Sequence, residues 1–258
     1  MVFLLALWMP AVVHGLGRLP EFSATAVQRA PDTEPLKMRI HVGREAVRTE
    51  TERPRGRVVE ILWPERGRRV MLLPERQVYM ELPLRSGGLQ AILRAGQARD
   101  PCAWVAGEAR CQDLGLEEVH GRTTRHWRIT VPAPDGARTS EHWIDTERGL
   151  PLREIFADGT RLELRFVGME ERDGRQTEKW ERVRTGPDRR SFRSWQWYDP
   201  GLGIAVREEI PGGFVRELTG IRIGPQDPDL FMVPPGYRRV EGPPAGEGPG
   251  PATEGHSR

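Results

Sequence analysis

The feature that most constrains this chain is a hydrophobic alternation of period two. Met38, Ile40 and Val42 are interleaved with Lys37, Arg39 and His41, and Val78, Met80 and Leu82 with Gln77, Tyr79 and Glu81. Trp127, Ile129 and Val131 alternate with His126, Arg128 and Thr130, and Leu162, Leu164 and Phe166 with Arg161, Glu163 and Arg165. Successive side chains of a strand point to opposite faces, so each segment has one dry and one wet face. That pattern belongs to antiparallel sheet. Turn signals separate the segments at Pro64-Glu65-Arg66-Gly67, Leu73-Pro74-Glu75, Pro134-Asp135-Gly136, Ala157-Asp158-Gly159 and Pro211-Gly212-Gly213. The expectation is an all-β chain of about a dozen strands.

One stretch departs from the alternation. From Ser86 to Ala98, Leu89, Ile92 and Leu93 fall at helical spacing, with Ser86 able to cap the start and Gly96 the end. It is expected to form a short helix that covers one face of the sheet.

The two ends of the chain differ from the middle. Val2 to Val13 is almost wholly apolar, and as a helix it spans about 18 Å, short of the ~30 Å needed to cross a bilayer. It is therefore read as the core of a signal peptide covering residues 1–15, cleaved after Gly15, and not as a transmembrane span. A buried terminal strand or helix is the alternative. Residues 241–258 are Gly-, Pro- and Glu-rich with almost no apolar bulk, a composition that cannot offset the entropy of ordering and predicts a disordered tail. The ordered part is expected to be one β domain over residues 22–240.

Charge excludes one class of function. Hydrophobic residues make up 37% and charged residues 29% of the 258, and the net charge is +2. No basic excess marks a nucleic-acid binder. Arginine supplies nearly all the positive charge, with Lys37 and Lys179 the only lysines, a bias that a GC-rich genome explains. Cys102 and Cys111 are the only cysteines. In an oxidising compartment such a close pair suggests a disulfide, worth roughly 2–3 kcal/mol; two free thiols are the alternative.

A weak internal repeat runs through the second half. Gly121-Arg122-Thr123-Thr124-Arg125-His126-Trp127 parallels Gly174-Arg175-Gln176-Thr177-Glu178-Lys179-Trp180, and Trp143-Ile144-Asp145 parallels Trp197-Tyr198-Asp199. The matches keep their order, which favours two similar hairpin meanders over residues 119–169 and 172–223 against chance matching of turn residues.

The chain also resembles a known superfamily. The carrying residues are Phe22-Ser23-Ala24-Thr25, Lys37-Met38-Arg39-Ile40, Val70-Met71-Leu72-Leu73-Pro74 and Gln77-Val78-Tyr79-Met80-Glu81. They are similar to the opening of the LolA/LolB/RseB-like superfamily of periplasmic proteins. A family of secreted proteins within or near that superfamily is closer still. Its second half resembles Leu114 to Arg122, His142-Trp143-Ile144-Asp145, Gly149 to Arg153, and Asp229-Leu230-Phe231-Met232-Val233-Pro234-Pro235-Gly236-Tyr237. The resemblance implies a strongly curved antiparallel sheet forming an incomplete barrel. It implies no enzyme activity and no cofactor, and a concave face that in the carriers holds acyl chains.

The motif content of the chain agrees with that implication. No nucleophile elbow, phosphate loop, paired-histidine zinc motif or dinucleotide fingerprint is present. Serines are few, and none stands in a nucleophile setting. His126 and His142, helped by His120, are the best metal candidates if a hairpin about Pro134 sets them opposite each other; solvent-facing strand histidines are the plainer reading, and no metal site is assigned. The ligand-lining candidates are Trp63, Met71, Leu73 and Met80 of the first meander, Leu89, Ile92 and Leu93 of the helix, and Trp195 and Trp197, which share one side of their strand. The expected function is that of a monomeric periplasmic or secreted binding protein holding a lipid or lipoprotein acyl chain. The alternative is an envelope protein that docks a protein partner.

Overall fold

The computed structural model describes residues 20–241 except for 65, 83–108 and 135. The proposed signal peptide, the helix with Leu89, Ile92 and Leu93, Cys102 of the proposed disulfide, and nearly all of the tail lie outside the described residues.

Within them sixteen strands form one sheet. The first meander is β1 Phe22–Arg29, β2 Leu36–Val42, β3 Val47–Arg53, β4 Gly56–Trp63, β5 Arg68–Leu73 and β6 Val78–Leu82. The second is β7 Arg110–Val119, β8 Arg122–Ala133, β9 Gly136–Asp145, β10 Pro151–Ile155, β11 Arg161–Arg172, β12 Arg175–Thr185, β13 Ser191–Asp199, β14 Ile204–Ile210 and β15 Phe214–Ile223. A two-residue strand, β16 Arg238–Arg239, ends the series. Neighbours in sequence are neighbours in space within each meander, and β1 pairs with β15 to join the two. The sheet is curved and open, with β16 and β7 at its edges. Among the described pairs, β16 with β6 is parallel and the others are antiparallel. No described helix is long and apolar enough to cross a membrane.

The strand count exceeds the expected dozen because some strands carry no alternation. β3 reads Val-Arg-Thr-Glu-Thr-Glu-Arg, yet it is laddered on both sides, to β2 and β4. A central strand is held by backbone hydrogen bonds whatever its side chains, and here Arg48 and Glu50 pair along it at 2.7 Å.

The segment after β15 crosses back over the first meander. His41 Nδ1 lies 2.9 Å from Gln226 Oε1, and Arg48 donates to the carbonyl of Leu230 at 2.8 Å. Phe231, Val233 and Tyr237 then pack on Val59, Ile61, Trp63, Val70 and Leu72. This strap keeps one apolar face of β4 and β5 from water.

Contacts of β7–β11 occur again in β11–β15 at an offset of 53 or 54 residues. Arg122 Nε donates to Asp145 Oδ2, and Arg175 Nε to Asp199 Oδ2. Thr124 Oγ1 donates to the carbonyl of Glu117, and Thr177 Oγ1 to that of Glu170. Asp145 Oδ1 accepts the N–H groups of Glu147 and Arg148; Asp199 Oδ1 accepts those of Gly201 and Leu202. Arg153 pairs with Glu163, and Arg207 with Glu217. The one-residue change in offset falls between β8 and β9 and their counterparts β12 and β13, where the connecting loops differ in length.

Candidate functional site

The seam where the two meanders meet contains an apolar cavity of about 110 Å³. Its walls follow from register. Phe22 faces Val42 across the β1–β2 ladder, Ala24 faces Ile40, and Ala26 faces Met38, so these six share one face. On the other flank of β1, Leu218 stands opposite Ala26. Ile204 and Val206 of β14 complete the cluster. Ala26 is the small β1 residue in the cavity wall, between Met38 and Leu218 on its two flanks. Phe22, Ala26, Met38, Ile40, Val42, Ile204, Val206 and Leu218 line the space.

The rim is charged but internally neutralised. Arg216 donates to Glu208 at 2.6 Å, and Arg207 donates to Glu209 at 2.6 Å and to Glu217. Arg29 holds the other oxygen of Glu217. The hydrogen bond from Arg29, with its charge and that of Arg207, outweighs partial burial and keeps the Glu217 carboxyl below its ordinary range.

The residues expected to line a groove are divided among three places. Met71 and Met80 face each other, as do Leu73 and Val78, and together with Val58 and Leu82 they form a cluster at the far end of the first meander. Trp63 lies on the opposite face, with Val59 and Ile61 under the strap, its ring covered by the Arg68 guanidinium at 4.8 Å. Period two requires that split, since Trp63 and the residues opposite Met71 are an odd number of positions apart on β4. Trp195 and Trp197 pack in the same cluster as Phe22 and Ile204, beside the cavity rather than in its wall. Trp197 is buried, and its indole N–H donates to Glu170 Oε2 at 2.7 Å. Arg172, Lys179 and Arg207 lie over its ring at 4.6, 5.0 and 5.5 Å. The cavity walls escaped sequence reasoning because β1 and β15 are almost 200 residues apart, and no local pattern reports that pairing.

The histidines do not converge on a metal. The β8–β9 register sets His126 opposite Trp143 and His142 opposite Trp127, so the two imidazoles are on opposite faces. A one-residue difference from the expected pairing is sufficient to separate them. His126 stacks on Trp143 with ring centroids 4.0 Å apart and has Glu117 at 2.8 Å from Nδ1. His120 pairs with Glu163. His142 stands between Ser140 Oγ, 2.9 Å from its Nε2, and Glu154 Oε1, 3.0 Å from its Nδ1. That last chain of three was not anticipated. The available signal was Ser140-Glu141-His142, which on a strand puts the hydroxyl and the imidazole on one face.

No protein-family model and no curated protein matches the chain. Among solved structures, it is similar to a LolA superfamily protein from Nitrosomonas europaea, at 13% identity over 83% of this chain and 90% of that one, with a TM-score of 0.38. It is similar to a conserved protein from Thermus thermophilus, at 11% identity over 86% and 90% with a TM-score of 0.31. It is also similar to the Pseudomonas aeruginosa MucA/MucB complex structure, at 14% identity over 79% and 88% with a TM-score of 0.21. The chain is thus similar to a LolA superfamily protein, and at these identities the likeness concerns the fold alone.

Proposed function

We propose that this is an exported binding protein that takes the end of a slender apolar group, an acyl chain, into the seam between β1, β2, β14 and β15. The observation that carries the reading is the cavity walled by Phe22, Ala26, Met38, Ile40, Val42, Ile204, Val206 and Leu218. At about 110 Å³ it falls below the ~300 Å³ at which pockets for drug-sized ligands begin. It is nearer the ~150 Å³ apolar cavities that stay dry and accept one benzene-sized molecule. The ligand therefore inserts a chain end and is not swallowed whole. Each methylene buried contributes about 0.8 kcal/mol, so several suffice for measurable binding without a polar contact. Export is inferred from the apolar run Val2–Val13.

The test is displacement of an environment-sensitive fluorescent fatty acid. Saturable binding is expected, with affinity lowered at least tenfold by Ala26→Leu, which fills the seam, and circular dichroism unchanged. Absence of saturable binding by the unaltered protein overturns the reading.

A second reading is a docking scaffold for a protein partner. Its support is the exposure of Phe166, Val167 and Met169, all within four positions of β11. Such a partner contributes apolar side chains to that patch and leaves the seam empty, and the fatty-acid experiment separates the two.

A further inference from the structure

The geometry points to a second site, away from the seam and independent of it: Ser140, His142 and Glu154 form a nucleophile, base and orienting carboxylate competent to attack a short acyl ester. Ser140 and His142 are two residues apart on β9, so they share a face, and Glu154 of β10 is the ladder partner of His142. Glu154 has 15% and His142 10% of the side chain exposed, while Ser140 is half-buried and reachable from solvent.

With a neutral imidazole, the two contacts assign one tautomer. An ionised carboxylate only accepts, so Nδ1 of His142 carries the proton and donates to Glu154 Oε1 at 3.0 Å. The lone pair on Nε2 then accepts from Ser140 Oγ–H at 2.9 Å. Nucleophile bonded to base, and base oriented by a third group, is the arrangement that activates a serine hydroxyl on unrelated folds. Phe156 meets the His142 ring edge-on at 5.9 Å between centroids and restrains it from the side.

The neighbouring strand offers a candidate oxyanion donor. Trp127 of β8 lies directly opposite His142, and directly opposite strand residues have Cβ atoms about 5 Å apart. Its indole N–H is buried without a hydrogen-bond acceptor among the described residues. A buried donor left unmet costs about 1–3 kcal/mol; the nitrogen is closed to solvent, so it reaches an oxygen that develops negative charge next to Ser140 only when the indole turns toward it.

The chain contains its own comparison. At the offset of 53 or 54, Ser140 corresponds to Ser194, His142 to Gln196, Glu154 to Glu208 and Trp127 to Trp180. The register is the same: Gln196 faces Trp180 on one side and Glu208 on the other. There the base is absent, Glu208 accepts from Arg216 at 2.6 Å, and the Trp180 N–H is satisfied by Glu178 at 3.3 Å. The serine is kept in both places, and the imidazole and the free donor occur together in one.

The reaction balances with water as co-reactant. Ser140 Oγ attacks the ester carbonyl carbon as its proton passes to His142 Nε2. The carbonyl oxygen takes the negative charge, which Trp127 Nε1–H meets when the indole turns toward it. Collapse expels the alcohol, which takes the proton from His142, and leaves an acyl group on Ser140. Water, deprotonated by the same nitrogen, then releases the acid and restores the hydroxyl.

The experiment uses the full chain with p-nitrophenyl butyrate, reading nitrophenolate release and, by peptide mass spectrometry, the acylated residue. A burst with acyl on Ser140 and none on Ser194 is expected. Ser140→Ala and His142→Gln, the second reproducing the other unit, should abolish it. Trp127→Phe should slow it by roughly 10²-fold, the size of losing one oxyanion donor, with the label still on Ser140. Ser194→Ala should change nothing. Circular dichroism of each variant separates loss of chemistry from loss of fold, and Ser140→Ala, a half-buried truncation, keeps the test usable if His142→Gln unfolds. Acyl found elsewhere, no burst, or an undiminished burst from folded Ser140→Ala overturns the assignment.

Discussion

The indole N–H of Trp197 donates to Glu170 at 2.7 Å, just as that of Trp143 donates to Glu117 at 2.7 Å. Glu170 also accepts from Lys179 at 2.8 Å and from Arg172 at 3.1 Å. These donors, Lys179 foremost and then Trp197, pull its carboxyl from the usual 4.5 down to about 2. A pKa depressed on folding contributes stability that is complete above about 4.5 and is lost as pH falls from there toward 2. Glu170 is about a third exposed, so screening reduces the contribution to about 1 kcal/mol. Urea unfolding at pH 6 and pH 3 should show a smaller pH-dependent loss in Glu170→Gln than in the unaltered protein; equal losses would remove Glu170 from the acid response.

Asp145 and Asp199 are 1% and 2% exposed, and each ties an arginine and two turn N–H groups together. Truncation leaves the turn donors unmet and removes the buried carboxylate from Arg175 and from Arg122, which retains Glu147 at 3.0 Å, at a cost of about 3 kcal/mol. If residues 119–169 and 172–223 are copies of one unit, Asp145→Ala and Asp199→Ala should cost the same to within about 1 kcal/mol. A large difference between their urea midpoints would argue for chance matching.

Gly43 is fitted to the strap. A Cβ at that position would lie 2.7 Å from two ring carbons of Phe231. Gly43→Ala should therefore cost about 1–3 kcal/mol, as overpacking does, and expose the chain after β15 to limited proteolysis. In a Phe231→Ala background the same substitution should cost less than half as much, because the obstructing ring is gone. Equal cost in both backgrounds would mean that the clash is not what destabilises the variant.

Processing and oxidation are read by intact mass. Protein recovered from the periplasm or medium should lack residues 1 to about 15 and contain a Cys102–Cys111 disulfide that resists alkylation until reduced. Material that begins at Met1, or two thiols alkylated without reductant, contradicts the expectation.

Much of the sheet was legible along the chain because its causes are local. Alternation at Met38–Val42 and Leu162–Phe166 marks strands through the two-residue repeat of the pleat, and Asp–Gly and Pro–Gly turns mark their ends. The match between Trp143 and Trp197 was legible for the same reason, since both tryptophans precede an aspartate that closes a turn. Strands such as β3 were not, because a backbone ladder leaves no hydrophobic trace. Tertiary structure alone decided the rest. Whether His126 and His142 meet depends on one residue of register, and the structure sets them on opposite faces. Whether Trp63 joins Met71 depends on the β4–β5 register, which sets Met71 opposite Glu60, three positions from Trp63. The seam depends on β1 meeting β15, a pairing that long-range packing selects and no neighbouring residue announces. The Ser140–His142–Glu154 chain lies between these cases: two members are fixed by the strand period, and the third arrives with the register of β10 on β9.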